Sequence, residues 1–483
     1  MVMKEVLQSS SYRLPFICLI IFTAISISGC TKFVNVQPPI TTLVTGSVFN
    51  NNAGATAAQT AIYSQMVNNY DPYDLPQNTG LLGDELTNYS TDLIEIQFFT
   101  NAMDASNSPG PWSNAYSYIY QANAVLAGVT GNSDISPAIR QQLTGEAEFI
   151  RAFWYFYLTN LYGDVPLLTT TNYSVNAVAA RTAQTLVYKQ IISDLLDAQN
   201  LLNTNYVDVS DTTITRDRIR PTKWAATALL ARVYLYTGDY SNALTQASTV
   251  INNSSMYSLV SDLNSVFLAN STEAIWQLGI PLPATQNTPE GANFILTGAP
   301  SSGSGNCTTL SPQLLGAFES GDSRRSDWVD SAIVSSNIYY FPYKYKVQAG
   351  SNITEYSMVL RLAEQYLIRA EAEANGAGGG IPAAITDLNV IRSRAALSPY
   401  AGGTDKGSVL TAILHERQVE LFTEWGHRWL DLNRTGAVDT VMGAPQNVAQ
   451  NKGGQGWNAN DKLYPIPQTE LTNDPNLHQN EGY

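Results

Sequence analysis

The clearest hydrophobic pattern in the sequence lies in the segment Leu143–Tyr162. Phe149, Phe153 and Phe156 are spaced there at i, i+4 and i+7, which places them on one face of a helix, and Gly163 follows directly. Aromatic residues this dense could line a ligand pocket, but their helical spacing beside other apolar residues favours core packing. The segment therefore predicts a buried helix that ends at Gly163.

A second segment, Trp224–Ile251, has the pattern of two short helices separated by a glycine turn. A helix pair of this kind cannot bury its apolar stripe alone, so it requires neighbouring pairs. The positions that match the tetratricopeptide pattern are Leu229, Ala231, Tyr234, Gly238, Tyr240 and Ala243.

Weaker versions of this pattern occur elsewhere in the chain. Leu360–Ala374 is followed by Ile381–Ala396, and Ala58–Val67 can pair with Tyr116–Leu126. We therefore predict a mainly α protein with a tetratricopeptide-like helical-repeat scaffold of about four helix pairs. The repeats should lie mainly in residues 46–265 and 355–435.

Two long intervals, near residues 70–110 and 266–354, lack helical periodicity. The second contains strand-like pieces, Ala274–Leu278 and Ile338–Tyr345. We expect an irregular, loop-rich subdomain with short strands. Long loops in an otherwise helical protein usually carry its function, so ligand binding is expected in these two intervals.

The N-terminal residues predict export and lipidation. Lys4 and Arg13 precede an apolar run, Leu14–Ile27, which is shorter than the roughly 20 residues of a membrane-spanning helix. The tetrapeptide Ile27-Ser28-Gly29-Cys30 has the form of a bacterial lipobox, in which the thiol of Cys30 receives a diacylglycerol. The alternative is an ordinary signal peptide followed by a chance cysteine.

This pattern divides the chain into three expected parts. Residues 1–29 would be a signal peptide that is removed, residues 30–45 a lipidated tether, and residues 46–483 a single domain. Besides Cys18 and Cys30, the sequence contains only Cys307, so no disulfide framework is predicted and Cys307 should be a lone thiol.

The composition narrows the class of ligand. The formal net charge is −14, and an acidic surface is a poor partner for nucleic acid or anionic lipid. Charged residues make up 14% of the chain, well below the roughly 25% of an average domain, whereas tyrosine is abundant, with 27 copies. Uncharged polar surfaces with aromatic rings suit neutral, hydroxyl-rich ligands.

The sequence offers little catalytic or metal-binding chemistry. His415-Glu416 begins like a zinc-protease helix, but Val419 occupies the position of the second histidine. Glu416, Glu420 and Glu424 form an i, i+4 row that could supply glycosidase carboxylates, yet arginines flank them, so a structural ion-pair network is the preferred interpretation. No catalytic residue, metal site or cofactor is predicted. The sequence does not test for a calcium ion.

Several segments, taken in order behind the lipobox, resemble the SusD/RagB family of outer-membrane nutrient-binding lipoproteins. The resemblance runs from Cys30 to Tyr483. The segments that carry it are Gly145–Ala152, Tyr162–Leu167, Glu319–Arg325, Leu388–Ala395, Glu416–Leu421, Tyr464–Pro467 and Asp474–Tyr483.

The family resemblance implies a location, a partner and a ligand class for the protein. It implies a lipid-anchored protein of the outer membrane, facing the extracellular side, that covers a SusC-like, TonB-dependent β-barrel transporter like a hinged lid. It implies capture of an oligosaccharide or polysaccharide, although some members of the family serve peptide uptake. A lipoprotein glycosidase and a helical-repeat adaptor that binds only protein are further alternatives.

Ring chemistry selects candidate ligand-binding residues in the two irregular intervals. The C–H face of a sugar stacks on an aromatic ring, and its hydroxyls need amide or carboxylate partners. Alternatively, many of these rings pack the loops onto the scaffold. The candidates are Tyr73, Asp84, Asn88, Tyr89, Phe98, Phe99 and Asn101 in the first interval, and Asn293, Phe294, Tyr339 and Tyr340 in the second.

Overall fold

Helices dominate the computed structural model, which describes residues 48–107, 110–302, 306–444 and 456–483. The predicted signal peptide, tether and lipidated Cys30 lie outside the described residues. Within those ranges the α-helices are α1 (Asn52–Asn68), α2 (Asp71–Leu82), α3 (Leu93–Phe99), α4 (Trp112–Val129), α5 (Pro137–Tyr162), α6 (Tyr173–Asn176), α7 (Gln184–Leu201), α8 (Lys223–Tyr236), α9 (Tyr240–Ile251), α10 (Pro289–Phe294), α11 (Pro312–Ala317), α12 (Ser323–Asp327), α13 (Leu362–Ala374), α14 (Gly380–Arg394), α15 (Lys406–Leu421), α16 (His427–Arg434), α17 (Val438–Gly443) and α18 (Gln468–Asn473).

The long helices form packed pairs. Helix α1 packs on α4, α5 on α7, α8 on α9, and α13 on α14. The pairs are joined to one another because α7 also packs on α8, and α9 on α13. The predicted scaffold of stacked helix pairs is confirmed.

The glycine turn between α8 and α9 lies where the sequence places it. Gly238 has a φ of 73°, a left-handed conformation that glycine adopts without a steric penalty. Asp239 then caps α9, because its side chain accepts a hydrogen bond of 3.2 Å from the backbone N–H of Asn242. Helix α8 can therefore stop and α9 begin within a few residues.

Helix α5 lies at the centre of the core. Phe149, Phe153 and Phe156 are fully buried, and the Trp276 ring packs edge-on against Phe149 and Phe153, with centroids 5.0 and 5.5 Å away. Gly163, with a φ of 74°, ends the helix. The prediction of a core helix rather than an aromatic ligand pocket is confirmed.

The strands are short and form two-stranded antiparallel sheets, in which β1 pairs with β5, β2 with β3, β4 with β8, and β6 with β7. The predicted strand Ala274–Leu278 is confirmed as β4, whereas the strand in the predicted piece Ile338–Tyr345 ends earlier, at Pro342. The strands are β1 (Leu86–Asn88), β2 (Val165–Pro166), β3 (Arg181–Thr182), β4 (Ala274–Leu278), β5 (Thr308–Leu310), β6 (Val329–Val334), β7 (Asn337–Pro342) and β8 (Ser357–Arg361).

The prediction that residues 70–110 lack helices is wrong. This interval contains α2 and α3, joined through β1. Helix α2 buries all of its residues except Asp74 and Asn78, so its sequence has only a narrow polar stripe from which a helical period could be read. Pro72 at the start of the helix and Pro76 inside it further conceal the pattern.

None of the described helices is both long enough and apolar enough to cross a membrane. Residues Phe49–Tyr483 form one compact unit.

Candidate ligand-binding surface

Three of the predicted aromatic residues are buried. The ring of Tyr73 on α2 packs edge-on against Phe294 of α10, with centroids 4.8 Å apart. Phe98 on α3 is fully buried against Tyr464 at 5.5 Å. Because other side chains cover these rings, the structure places them in the packing between helices.

The predicted polar residues in the same region hold the backbone and one arginine. Buried Asp84 accepts hydrogen bonds of 2.8 and 2.7 Å from Nε and Nη2 of Arg428. Asn101, which has a φ of 53°, donates from Nδ2 to the carbonyl of Leu82 at 2.9 Å. Asn293 donates in the same way to the carbonyl of Pro289 at 2.8 Å. The Asp84 contact ties the segment after α2 to α16, the Asn101 contact ties the end of α3 to the end of α2, and the Asn293 contact lies within α10.

Tyr89 and Tyr339 come together at the surface. Their ring centroids are 5.7 Å apart at an interplanar angle of 83°, and 41% of Tyr89 is exposed. Tyr89 directly follows β1, and its backbone N–H donates to the carbonyl of Cys307 at 2.8 Å, which fixes its place beside β5. Tyr339 lies in β7, and β5 packs against that strand.

Tyr340 belongs to a different environment from Tyr339. Successive strand residues point to opposite faces of a sheet. The guanidinium carbon of Arg325 lies 4.6 Å from the centroid of the Tyr340 ring, so a cation covers one face of this ring. The last predicted aromatic residue, Phe99, is half-buried at the end of α3.

A group of hydroxyls lies next to Tyr89. Ser90 Oγ donates to the Glu95 carboxylate at 2.7 Å and lies 3.2 Å from Ser302 Oγ. The backbone N–H of Thr91 donates to the same Ser302 Oγ at 2.7 Å. Asn88 completes this loop by accepting from the Ser90 N–H at 2.9 Å. No sequence pattern marks Ser302 as a candidate, because only the fold brings it to Ser90.

We call this region the Tyr89 surface and define it as Asn88, Tyr89, Ser90, Thr91, Glu95, Ser302 and Tyr339. It combines the exposed ring of Tyr89 and the partly buried ring of Tyr339 with hydroxyl, amide and carboxylate groups. Stacking on the rings and hydrogen bonding to these groups together suit a neutral polyhydroxylated ligand.

The glutamate row on α15 is part of a buried ion-pair network. Glu420 pairs with Arg324 at 2.9 Å, with Arg361 at 2.5 Å and with Arg394. Burial by itself would raise the pKa of Glu420, but these arginines hold it well below its ordinary range. The interpretation of the row as a structural network is confirmed.

The other candidates for chemistry are also held in the packing. His415 Nε2 lies 2.8 Å from the carbonyl of Ala317, and Cys307 is a buried free thiol. Within the described ranges, no group of three or more histidine, cysteine, aspartate or glutamate side chains could hold a metal ion.

Comparison with known families agrees with the helical scaffold and the C-terminal segments. Residues 324–483 match the profile of the SusD family, and residues 32–235 match the profile described as "Starch-binding associating with outer membrane". The chain belongs to the SusD family. The resemblance found in the sequence is thereby confirmed.

Relatives of this SusD-family protein span nearly the whole chain. SusD-like protein P2 of Formosa agariphila is 26% identical over 524 aligned positions, which cover 98% of this chain and 99% of the relative. A solved structure described as a laminarin-binding SusD-like protein is 24% identical, with a TM-score of 0.70, and covers 90% of this chain and 100% of its own. Surface glycan-binding protein A from Bacteroides uniformis is 21% identical, with a TM-score of 0.72, and covers 88% of this chain and 98% of its own.

Proposed function

We propose that this SusD-family protein binds a neutral glycan at the Tyr89 surface without changing it chemically. The observation that carries the proposal is the edge-to-face pair of Tyr89 and Tyr339 beside a group of hydroxyls and amides. The names of the laminarin-binding and surface glycan-binding structures support a glycan as the ligand class.

The geometry suggests how a sugar would be held. The exposed face of Tyr89 can stack on the C–H face of a pyranose, and Tyr339 limits the ring's lateral position. Hydroxyls at the edge of the sugar can then exchange hydrogen bonds with Ser302, Thr91 or Glu95. Glu95 and the negative net charge of the chain disfavour acidic sugars, which is why a neutral glycan is proposed.

The proposal also includes the cellular location and the partner of the protein. We propose that Cys30 carries a lipid that anchors the chain to the outer membrane, and that the bound glycan passes to a SusC-like, TonB-dependent transporter. The profile name that mentions the outer membrane supports this location. The transporter should co-purify with the protein from gently solubilised outer membranes. Recovery of the protein alone, under conditions that keep related complexes intact, would count against the partnership.

Substitution of Tyr89 tests the binding surface. Tyr89→Ala should weaken binding of whichever of laminarin or soluble starch the wild type retains by at least about tenfold, because one stacking face is lost. Tyr89→Phe keeps the ring and should bind like the wild type. Isothermal titration calorimetry measures both. Tyr366→Ala, on the repeat helix α13, serves as the control for removal of a half-buried tyrosine. Wild-type affinity in Tyr89→Ala would show that the site lies elsewhere.

A further inference from the structure

A second cleft lies on the helical scaffold, and it shares no residue with the Tyr89 surface. It has a volume of about 580 Å³, which falls within the range of small-molecule sites. Three separate parts of the chain form it: α4, the segment from β2 to α6, and the C-terminal segment that begins with α18. Its lining includes Trp112, Tyr116, Tyr173, Asn176, Glu470 and Asp474.

Aromatic rings form a fixed floor for this cleft. Trp112 packs against both Tyr116 and Tyr162, with centroids 4.9 Å away in each case. The hydroxyl of Tyr116 donates to the carbonyl of Pro166 at 2.8 Å, so this ring is tied to the opposite wall. A floor held in this way can bind a ligand with little loss of side-chain conformational entropy.

Tyr173 stands at the rim of the cleft and is available to a ligand. It is 81% exposed, although it is a large aromatic residue in the first position of a short helix. It also lines an adjoining cavity of about 350 Å³, into which Tyr120 faces as well. The two cavities together offer consecutive aromatic positions, which suits an extended ligand rather than a single ring.

Polar groups around the rim lack partners. The carboxylate of Glu470 has no hydrogen-bond partner in the described part of the chain, and burial, with Asp474 nearby, raises its pKa. Oδ1 of Asn176 is buried and also unpaired, whereas its Nδ2 donates to the carbonyl of Thr170 at 2.8 Å. The buried Oδ1 of Asn176 costs free energy unless a ligand supplies a donor, whereas the carboxylate of half-buried Glu470 is open to a ligand.

We infer that this cleft is a second sugar-binding site, which takes a neutral oligosaccharide whose ring stacks on Tyr173 and whose hydroxyls donate to Glu470 and Asn176. The inference rests on the proposed function only for the class of ligand. Both unpaired groups are acceptors, and sugar hydroxyls are donors. Glu470 and Asp474 disfavour an anionic chain.

Calorimetric titration of the mature chain with laminarihexaose and with maltohexaose tests the inference. The wild type should bind two equivalents of at least one of these probes. Tyr173→Ala should remove one equivalent or weaken it at least about tenfold, because the stacking face is lost. Tyr173→Phe should restore both equivalents, since the ring is kept. Because Tyr173 is exposed, Tyr173→Ala should have the same thermal unfolding midpoint as the wild type. Measurement of this midpoint checks that the variant folds normally.

The Tyr89→Ala variant separates this inference from the proposed function. If Tyr89→Ala abolishes all binding and Tyr173→Ala none, the second site is overturned and the Tyr89 surface stands. Loss of one equivalent in each variant supports both sites. Loss of all binding in Tyr173→Ala with none lost in Tyr89→Ala supports the cleft and overturns the Tyr89 surface. If neither probe binds to the wild type, both proposals are overturned.

Discussion

Buried carboxylates in this protein have two kinds of environment. Glu420 is surrounded by arginines that keep it ionised. Glu290, at the start of α10, is equally buried, and its hydrogen bond from Ser357 Oγ at 2.7 Å comes from an uncharged group. Burial therefore raises the pKa of Glu290 to about 8. The two glutamates should affect stability in opposite directions as the pH changes.

Glu290→Gln should change how stability depends on pH. In the wild type, the unfolded chain loses the Glu290 proton near pH 4.5, whereas the folded chain keeps it until about pH 8. The free energy of unfolding that Glu290 contributes is fully present below pH 4.5 and is lost as the pH rises from 4.5 to 8. The loss is at most about 1.4 kcal/mol per pH unit, because one proton is involved. The amide cannot ionise, so the variant should gain stability relative to the wild type across this range.

Urea unfolding at pH 5 and pH 8 measures this difference. Glu481→Gln, which replaces an exposed carboxylate near the C-terminus, is the matched control and should show little change at either pH. An equal difference between Glu290→Gln and the wild type at both pH values would contradict the assignment of a raised pKa.

At the scale of single residues, the sequence could predict which residue types would bind a sugar but not which of them would be accessible. Tyr73 and Tyr89 lie in the same interval and are chemically equivalent. Phe294, which covers Tyr73, and Tyr339, which leaves Tyr89 exposed, come from distant parts of the chain. Only tertiary packing distinguishes the two tyrosines. For the same reason, the rim of the second cleft, which combines three chain segments, had no signal in the sequence.

Among the elements, the contact between α5 and the end of α7 depends on a glycine. A Cβ atom at Gly145 would lie 2.9 Å from Cγ of Leu202 and 3.1 Å from Cβ of Leu201. Gly145→Leu should therefore force the helices apart and lower the free energy of unfolding by about 1–3 kcal/mol, as overpacking of a core does.

Gly316 provides the matched control for this substitution. It also lies in a helix, but a Cβ atom there would meet no atom within 4 Å. Gly316→Leu should be neutral or slightly stabilising, because leucine favours a helix by up to about 1 kcal/mol over glycine. Equal urea midpoints for the two leucine variants would show that the close approach at Gly145 does not limit packing.

Element prediction succeeded where a polar face or a turn residue marked the helices. The pair α8 and α9 was predictable because the turn at Gly238 and Asp239 separates two helical runs, although α8 is buried on all sides and only α9 has an exposed polar face. Helix α2 was not, because it has only a narrow polar stripe and prolines both at its start and in its interior. The strand β4 was predictable from its mostly apolar residues, all of which are buried, including the one polar residue, Gln277.

For the whole molecule, the proposed lipid at Cys30 determines whether the protein stays with the membrane. Acyl chains contribute about 0.8 kcal/mol per buried methylene, so loss of the lipid should release the protein. We expect Cys30→Ala to move the protein from the membrane fraction to the soluble fraction, with the wild-type helical content by circular dichroism. Cys307→Ala, which removes a buried thiol unrelated to the lipobox, should leave the protein in the membrane fraction. Membrane retention of Cys30→Ala would contradict the proposed anchor.

As a whole, the molecule is proposed to capture a neutral glycan without cleaving it. The most direct measurement incubates the purified mature protein with laminarin and with soluble starch, then follows its migration in native gels that contain each polysaccharide and the reducing ends released in solution. We expect slower migration in at least one polysaccharide and no new reducing ends. Migration unchanged by both polysaccharides, or release of reducing ends from either one, would contradict this proposal.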